Sequence, residues 1–338
     1  MSEQLVVAAD GGNSKTQVVL ADRSGRVHAV VRTAGIKNSD GIRRTAQILT
    51  DAVRAALRQA DRDPATALAA GAFFLANVDV PEEEVAVRDA LAAHALADTV
   101  LVRNDVFAIL HAGTSRDWGV AVTVGAGINA VGRHPDGREA RFLALGDISG
   151  DWGGGLTIGV AALGAAVRAG DGRGPDTILR DAVTTAFGAD PEEVAVRVSR
   201  GGLARRELHR LARAALTAAS SGDTAATAIV TRLADEVVEL AGTLLRRLAL
   251  LDSDADVILG GAILQAGNDV LLDRIRARLL DLAPGIALRV LDAPPVSGAL
   301  SAALDLADAS PEAQRSARAA LTKTVTLAEL QAGGPPVR

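Results

Sequence analysis

The stretch from Leu5 to Asp22, LVVAADGGNSKTQVVLAD, constrains the fold of this chain more than any other. Two runs of β-prone residues, 5–9 and 16–21, flank a short turn that contains two glycines. This pattern predicts a β-hairpin with a tight tip. Because glycine lacks a Cβ and adopts positive φ readily, backbone N–H groups at the tip can approach an anion closely. The tip is therefore either an ordinary turn or a phosphate-binding loop.

The side chains at this tip suit a magnesium nucleotide. Asp10, at the end of the first strand, is a candidate to hold a magnesium ion through water. The candidate phosphate ligands are Gly11, Gly12, Asn13, Ser14, Lys15 and Thr16. The turn has neither a Walker sequence nor a dinucleotide-binding glycine pattern, so these two common nucleotide loops are excluded.

Composition limits the remaining possibilities. A chain of 338 residues is long enough for two domains, and no apolar run approaches the roughly 20 residues of a membrane span. Its first residues show no secretion signal, so we expect a cytoplasmic protein without a membrane partner. The net charge is −5 and the basic residues are dispersed, which argues against a nucleic-acid partner. Cysteine is absent, which excludes disulfides and thiolate metal sites.

The first part of the chain continues as one α/β unit. A third strand at 27–32, a helix from about residue 41, a strand at 69–75, a helix at 82–95 and a strand at 99–103 follow from the apolar spacing. Asn38 precedes the first of these helices, and Asn77 follows the strand at 69–75. Each is a candidate ligand for a sugar hydroxyl, with a turn residue as the alternative for Asn38.

Asn104 and Asp105 follow the strand at 99–103 and begin the next helix. Polar groups at the carboxyl end of a buried strand lie where open α/β sheets bind ligands. Asp105 is the candidate general base, which would accept a hydroxyl proton during phosphoryl transfer, and both residues are candidate substrate ligands. The alternative for Asp105 is a helix N-cap.

The strand pattern begins again near Gly119, and a second hairpin has Gly125, Ala126 and Gly127 at its tip. Two hairpins with glycine-rich tips predict two similar lobes, 1–115 and 116–338, that hold a nucleotide between them. The last helix could pack back on the first lobe. The stretch 310–338 predicts one short helix at the periphery.

Two further glycine-rich segments lie in the second half. Residues 146–155 predict a constrained loop before a helix at 156–167, and its acids Asp147 and Asp151 are candidates to bind sugar hydroxyls or an ammonium group. Gly260 and Gly261, between a strand and a helix, would allow an adenosine to lie close to the backbone.

The segments DGGNSKT, IKN, ND, GAGIN and GDWGGGLTIG, in this order, resemble five motifs of the N-acetylglucosamine kinases and the BadF/BadG/BcrA/BcrD ATPases. The resemblance covers about residues 5–308. It implies a two-lobed actin-like, ribonuclease-H-like ATPase fold, with ATP and Mg²⁺ as cofactors and a homodimer as the assembly. It also implies that Asp105 is the base, Asn38 the sugar-loop asparagine and Asp151 the acid of the second sugar loop.

Departures from the family motifs bear on the substrate. The second phosphate loop usually reads GTGS, so Gly125–Ile128 lacks two hydroxyls, and Trp152 replaces the usual glutamate beside the expected C2 substituent of the sugar. This change favours glucosamine, whose ammonium group would lie near Asp151 and Asp147. N-acetylglucosamine or another hexose is the alternative acceptor, and a non-catalytic sensor is the alternative class. The iron–sulfur activators of the family are excluded because the chain has no cysteine.

Overall fold

The computed structural model describes the backbone of residues 4–331 and the side chains of residues 4–37 and 39–322. This part of the chain forms two compact units. The first contains the described residues up to Asp117 and those from Leu291 onward, and the second contains Trp118–Val290. The sequence predicts a boundary at 115/116 and a last helix that could pack back on the first lobe. The residues from Leu291 onward, which that boundary places in the second lobe, have their contacts in the first unit.

The first unit begins with strands β1 (Leu5–Gly11), β2 (Lys15–Asp22) and β3 (Val27–Ala34), and helix α1 (Gly41–Gln59). It continues with β4 (Leu68–Leu75), α2 (Pro81–Ala92), β5 (Ala97–Asn104) and α3 (Asp105–Gly113). The strands form one sheet in the order β3-β2-β1-β4-β5, in which β1 is antiparallel to β2 and parallel to β4.

The second unit contains β6 (Gly119–Val124), β7 (Ile128–Arg133) and β8 (Glu139–Arg141), and then helix α4 (Gly154–Gly170). Further helices are α5 (Leu179–Phe187), α6 (Pro191–Ser199), α7 (Leu211–Ser220) and α8 (Thr224–Arg247). The unit ends with β9 (Asp256–Gly260), α9 (Ala262–Gln265), α10 (Asp269–Leu282) and β10 (Ala287–Val290). Its sheet order is β10-β9-β6-β7-β8.

The two sheets have the same topology. In each, the first three strands form an antiparallel meander, and a later strand pairs in parallel with the first of the three. The internal repeat that the two glycine-tipped hairpins predict is therefore present in the fold. β1 is buried on both faces, which explains why its sequence is a continuous apolar run and not an alternating one.

After Leu291 the chain forms α11 (Pro295–Leu306) and α12 (Pro311–Gln331) in the first unit. Helix α11 packs on β1, β4 and α3. α12 is much longer than the short peripheral helix that the sequence predicts, and it buries Ala313, Ala317 and Leu321. These apolar residues recur every fourth position, which explains how the helix packs. Across residues 4–331, no helix has the length and apolar character needed to cross a bilayer.

Candidate active site

Three backbone hydrogen bonds fix the tip of the β1–β2 hairpin, one within the turn and two from other loops. Gly12 N donates to Lys15 O at 2.9 Å and closes the turn. Ile36 N donates to Gly12 O at 3.1 Å, and Ala76 N donates to Gly11 O at 2.9 Å. The tip is therefore fixed against the loops that follow β3 and β4.

Two glycines permit this close packing. A Cβ at Gly11 would lie 2.6 Å from Leu75 Cδ2, and one at Gly35 would lie 2.2 Å from Asn13 O. Gly35 is not among the predicted site residues, and no local pattern could identify it because the crowding comes from another loop. Of the predicted phosphate ligands, Asn13 and Ser14 are exposed at the tip.

Thr16 and Asp10 lie deeper than the tip. Thr16 is fully buried, and its hydroxyl has no hydrogen-bond partner among the described residues. Burial raises the pKa of Asp10 to about 6, and the charge of Lys15 opposes this rise. A cation would stabilise such a carboxylate, so Asp10 fits the predicted role of holding Mg²⁺ through water. Within the described side chains, no group of three or more His, Asp or Glu residues could hold a metal.

Three carboxyl groups belong to neighbouring parts of one sheet edge. Asp10 lies near the end of β1, Asp79 lies in the loop after β4, and Asp105 directly follows β5. These three strands are adjacent and parallel, so their carboxyl ends share an edge. Asp79 is not among the predicted site residues, although an acid shortly after a buried strand is the signal that identifies Asp105.

The environment of Asp105 suits a general base. Burial raises the pKa of Asp105 to about 7, and the negative charges of Asp10 and Asp79 add to the rise. Hydrogen bonds from backbone N–H groups, including that of Val106, oppose it. A base with a pKa near the working pH combines an ionised population with useful proton affinity.

Asn104 is buried, with 2% of its surface exposed. Its Oδ1 accepts a hydrogen bond from Val106 N at 3.1 Å, which makes it the N-cap of α3. Its Nδ2 donates to Val78 O and to Asp79 Oδ1, both at 3.1 Å. Asn104, a predicted ligand of the sugar, thus joins the loop after β4 to the first turn of α3 through hydrogen bonds of its own side chain.

The other two predicted asparagines lie near the loop between β3 and α1. Asn77 Nδ2 donates to Ile36 O at 2.7 Å, which ties the loop after β4 to this segment. Asn38 begins a 3₁₀ turn, Asn38–Asp40, and its side chain lies outside the described residues.

The second glycine tip, Gly125–Gly127, packs against the start of α4. Gly125 N donates to Gly127 O at 2.9 Å, and Gly155 N donates to Gly125 O at 2.8 Å. Gly154 has φ +81°, and a Cβ there would lie 2.4 Å from Ala126 O. α4 begins at Gly154, two residues before the start at residue 156 that the sequence predicts. Ala126 and Gly127 are exposed beside a helix N-terminus, where an anion is favoured.

The turn between β9 and α9 contains the predicted adenosine glycines. Gly261 has φ +86°, and a Cβ there would lie 2.5 Å from Val124 O. Gly260 is buried as the last residue of β9. The requirement for glycine at position 261 is therefore explained by its close approach to β6, and the adenosine contact stays a prediction.

Asp151 organises the loop before α4. Its Oδ2 accepts hydrogen bonds from Gly146 N at 2.9 Å and from Ser149 Oγ at 2.6 Å. Asp151 N also donates to Gly146 O at 3.0 Å, so the loop is compact. Asp147 is exposed in the 3₁₀ turn Gly146–Ile148 of the same loop. The Asp151 carboxylate thus accepts hydrogen bonds within the loop, whereas Asp147 is exposed to solvent.

Trp152 packs against the core of the second unit, and the Arg232 guanidinium lies 4.2 Å from the centre of its ring. Glu236 lies one turn further along α8, and burial raises its pKa. The positive charge of Arg232 opposes this rise, and the negative charge of Asp151 adds to it. Glu236 and Arg232 are not among the predicted residues, because the helical spacing of α8 identifies only its core positions. A cationic group bound near Asp151 would be favoured by Glu236.

A model of the BadF/BadG/BcrA/BcrD ATPase family matches residues 9–304, so the chain belongs to this family. The predicted family resemblance is confirmed. A relative from Clostridium acetobutylicum, an N-acetylmuramic acid/N-acetylglucosamine kinase, is 27% identical over 236 residues. The aligned part spans 69% of this chain and 76% of that protein.

Solved structures with the same fold include two sugar-kinase structures. A Chromobacterium violaceum protein assigned as an N-acetylglucosamine kinase has a TM-score of 0.68 at 24% identity, over 90% of this chain and 99% of that chain. A ROK family glucokinase from Streptomyces griseus, solved with glucose and AMPPNP, has a TM-score of 0.54 at 18% identity, over 88% and 98%. At these identities the structures establish the fold, and the predicted actin-like α/β class is confirmed.

Proposed function

We propose that this protein is an ATP-dependent hexosamine kinase that transfers the γ-phosphoryl group of ATP to the 6-hydroxyl of D-glucosamine. The observation that carries this proposal is the environment of Asp105. Its carboxyl group lies at the carboxyl end of β5, and burial with nearby negative charge raises its pKa to about 7. A carboxylate of this basicity suits removal of a hydroxyl proton near neutral pH.

The reaction needs one proton transfer and one phosphoryl transfer. Asp105 accepts the proton of the 6-hydroxyl while the hydroxyl oxygen attacks the γ-phosphorus. The bond from that phosphorus to the oxygen bridging the β- and γ-phosphates breaks, and its electron pair leaves with ADP. Asp105 also orients the hydroxyl for in-line attack, because a hydrogen bond to its carboxylate fixes the direction of the oxygen lone pairs.

The two glycine tips are assigned to the phosphates. Backbone N–H groups at Asn13 and Ser14 of the first tip, and at Ala126 and Gly127 of the second, would donate to phosphate oxygens. Such fixed donors stabilise charge that develops on the transferring group without further reorganisation. When bound, Mg²⁺ neutralises phosphate charge, and Asp10 is the residue that would hold it through water.

Glucosamine is the favoured acceptor because both candidate sugar segments are acidic. In the first unit, the carboxyl groups of Asp79 and Asp105 repel each other, and this repulsion adds to the rise that burial causes in the pKa of Asp105. In the second unit, Asp151 and Glu236 also repel each other. An acceptor with a protonated amine would relieve this repulsion, whereas an acetamide would not.

The proposed sugar ligands are Asn38, Asn77, Asp105, Asp147 and Asp151. Asn104, which the sequence also predicts as a ligand, is assigned here to holding Asp105, because its amide is bonded within the protein. Gly260 and Gly261 are assigned to the adenosine. The homodimer also belongs to the proposal and rests on the family resemblance, and the cytoplasmic location stays the expectation drawn from the sequence.

N-acetylglucosamine is the second candidate acceptor, because the Clostridium acetobutylicum relative is an N-acetylmuramic acid/N-acetylglucosamine kinase. A coupled ADP-release assay with Mg-ATP should therefore compare glucosamine, N-acetylglucosamine, glucose and mannosamine by kcat/KM. We expect glucosamine to be preferred at least about tenfold, the effect of one charge-assisted hydrogen bond. A preference for N-acetylglucosamine would reject the glucosamine assignment and retain the kinase, and no turnover with any sugar would contradict both.

A further inference from the structure

Helix α3 carries Asp105 at its N-terminus, and its other end contacts α12. Arg318 Nη2 donates to His111 O at 2.7 Å and to Thr114 O at 3.3 Å. His111 lies in the last turn of α3, and Thr114 is its C-cap. The last carbonyls of a helix have no partners within it, and a positive charge there is favoured by the helix dipole. Arg318 supplies both the donor and the charge.

The burial of Arg318 indicates a specific contact and not a chance surface approach. Burial lowers the pKa of the guanidinium, and the charge of Asp292 opposes that shift. An arginine keeps its charge in such surroundings, so the carbonyls of α3 and Asp292 together compensate a half-buried cation. The apolar side chains Ala313, Ala317 and Leu321 of α12 are buried. This burial holds α12 in place, and with it the guanidinium that bonds the end of α3.

Helix α11 packs against the side of α3, and Asn104 caps the first turn of α3. A Cβ at Gly298 of α11 would lie 2.0 Å from Ala108 O and 2.6 Å from Ala112 N, so the two helix backbones are in direct contact. At the other end, Asn104 caps the first turn. These contacts fix the lateral position and the beginning of the helix, whereas Arg318 bonds carbonyls at the other end, which begin roughly 9 Å along the axis from Asp105.

We propose that Arg318 is a positioning residue for phosphoryl transfer: from α12 it holds the end of α3 and thereby fixes the axial position of the Asp105 carboxyl group. This inference rests on the proposed role of Asp105 as general base. α3 has only nine residues, so few hydrogen bonds of its own resist displacement, and Arg318 adds two hydrogen bonds at its end. A misplacement of about 1 Å in a reacting group can reduce a rate by about 100-fold.

The test uses three variants of the full-length protein. Arg318→Met removes the charge and both donors, Arg318→Lys keeps the charge without the planar fork, and Arg315→Met is the matched control on the same helix. Arg315 is exposed and has no hydrogen bond or ion pair among the described residues. We expect Arg318→Met to lower kcat for sugar phosphorylation about tenfold, with the KM for ATP within about twofold of wild type. Arg318→Lys should recover part of kcat, and Arg315→Met should match wild type.

Chemical rescue separates positioning from fold stability. A cavity of about 190 Å³ adjoins Arg318 and is lined by residues of α11, α12 and the end of α3. In Arg318→Ala, added guanidinium at non-denaturing concentration should therefore restore part of the lost kcat. Wild-type kcat in Arg318→Met below its unfolding temperature would overturn the proposal, because a residue that only stabilises the fold leaves kcat of the folded protein unchanged.

Amide hydrogen exchange tests the same inference without turnover. We expect faster exchange across residues 105–113 in Arg318→Met than in wild type, with no such change in Arg315→Met. Unchanged exchange in α3 would contradict the positioning role. If wild-type protein phosphorylates none of the sugars, the proposed function fails, while the exchange comparison still decides whether Arg318 holds α3.

Discussion

Asn104 Nδ2 donates a hydrogen bond to Asp79 Oδ1 at 3.1 Å. Because Asn104 also caps α3 through Val106 N, this bond connects the loop after β4 to the helix turn that carries Asp105. Asp79 therefore affects Asp105 in two ways. Its charge raises the pKa of Asp105, and its oxygen holds the residue that precedes Asp105.

The variant Asp79→Asn separates these two effects, because it removes the charge and keeps an oxygen that can accept from Asn104. We expect the pKa of Asp105 to fall, so the acidic limb of the kcat/KM–pH profile should move to lower pH. Asp79→Ala removes the hydrogen bond as well and should also lower kcat several-fold. An unmoved acidic limb in Asp79→Asn would show that Asp79 does not act on the base.

The raised pKa of Asp105 also implies that its ionised carboxyl group destabilises the folded protein. Its pKa is about 7 when folded against 3.8 in the unfolded chain, so the unfolded state loses its proton first as the pH rises. The destabilisation is absent below about pH 4, grows between the two values and is complete above pH 7.

Asp105→Asn should therefore stabilise the protein at pH 8 by roughly 2–4 kcal/mol, since one pKa unit corresponds to about 1.4 kcal/mol. Thermal unfolding without nucleotide or Mg²⁺ at pH 8 and pH 4 measures this. The midpoint should rise by several degrees at pH 8 and stay near wild type at pH 4. Equal midpoints at pH 8 would contradict the raised pKa.

Two helix glycines allow a matched test of packing. At Gly298 a Cβ would lie 2.0 Å from Ala108 O, whereas at Gly164 in α4 no heavy atom lies within 4 Å of it. Gly298→Ala should destabilise the protein by about 1–3 kcal/mol or more, because α11 must move away from α3. Gly164→Ala should stabilise it by up to about 1 kcal/mol. Denaturant unfolding of both variants gives the comparison, and equal effects would contradict the close α3–α11 contact.

The proposed amine recognition predicts a substrate-dependent effect at Asp151. Asp151→Asn keeps an oxygen for Gly146 N and Ser149 Oγ but removes the negative charge. The KM for glucosamine should rise about tenfold, in line with the loss of one charge-assisted hydrogen bond, and that for N-acetylglucosamine should change less. Ser149→Ala is the control for loop structure, since it loses the three loop hydrogen bonds of the Ser149 hydroxyl without a change of charge. Equal effects of Asp151→Asn on both sugars would reject recognition of the amine.

Much of the fold follows from local sequence. The apolar runs on either side of Gly11 and Gly12 are strands β1 and β2, and the second glycine tip at Gly125–Gly127 joins β6 and β7 in a sheet of the same order. These features depend on neighbouring residues, which is why periodicity and turn composition predict them.

Features that depend on distant contacts could not be predicted in the same way. Gly35 is crowded by Asn13, and Gly298 by α3; neither contact leaves a local pattern. For the same reason, the sequence gives no sign that Arg318 bonds the end of α3. Asn104 shows the converse case: its position at a strand end predicts a site residue but not the hydrogen bonds of its amide to Val78 O and Asp79 Oδ1, and its role as a substrate ligand stays a prediction.

If Asp105 is the general base of a sugar kinase, the variant Asp105→Asn should lose turnover while it keeps sugar binding. We predict that kcat with glucosamine and Mg-ATP falls by roughly 100-fold or more, the usual contribution of a general base. The dissociation constant for glucosamine, measured by calorimetry, should stay within about tenfold of wild type, since the amide can still bond the 6-hydroxyl. Turnover of Asp105→Asn within a few-fold of wild type would show that Asp105 is not the general base.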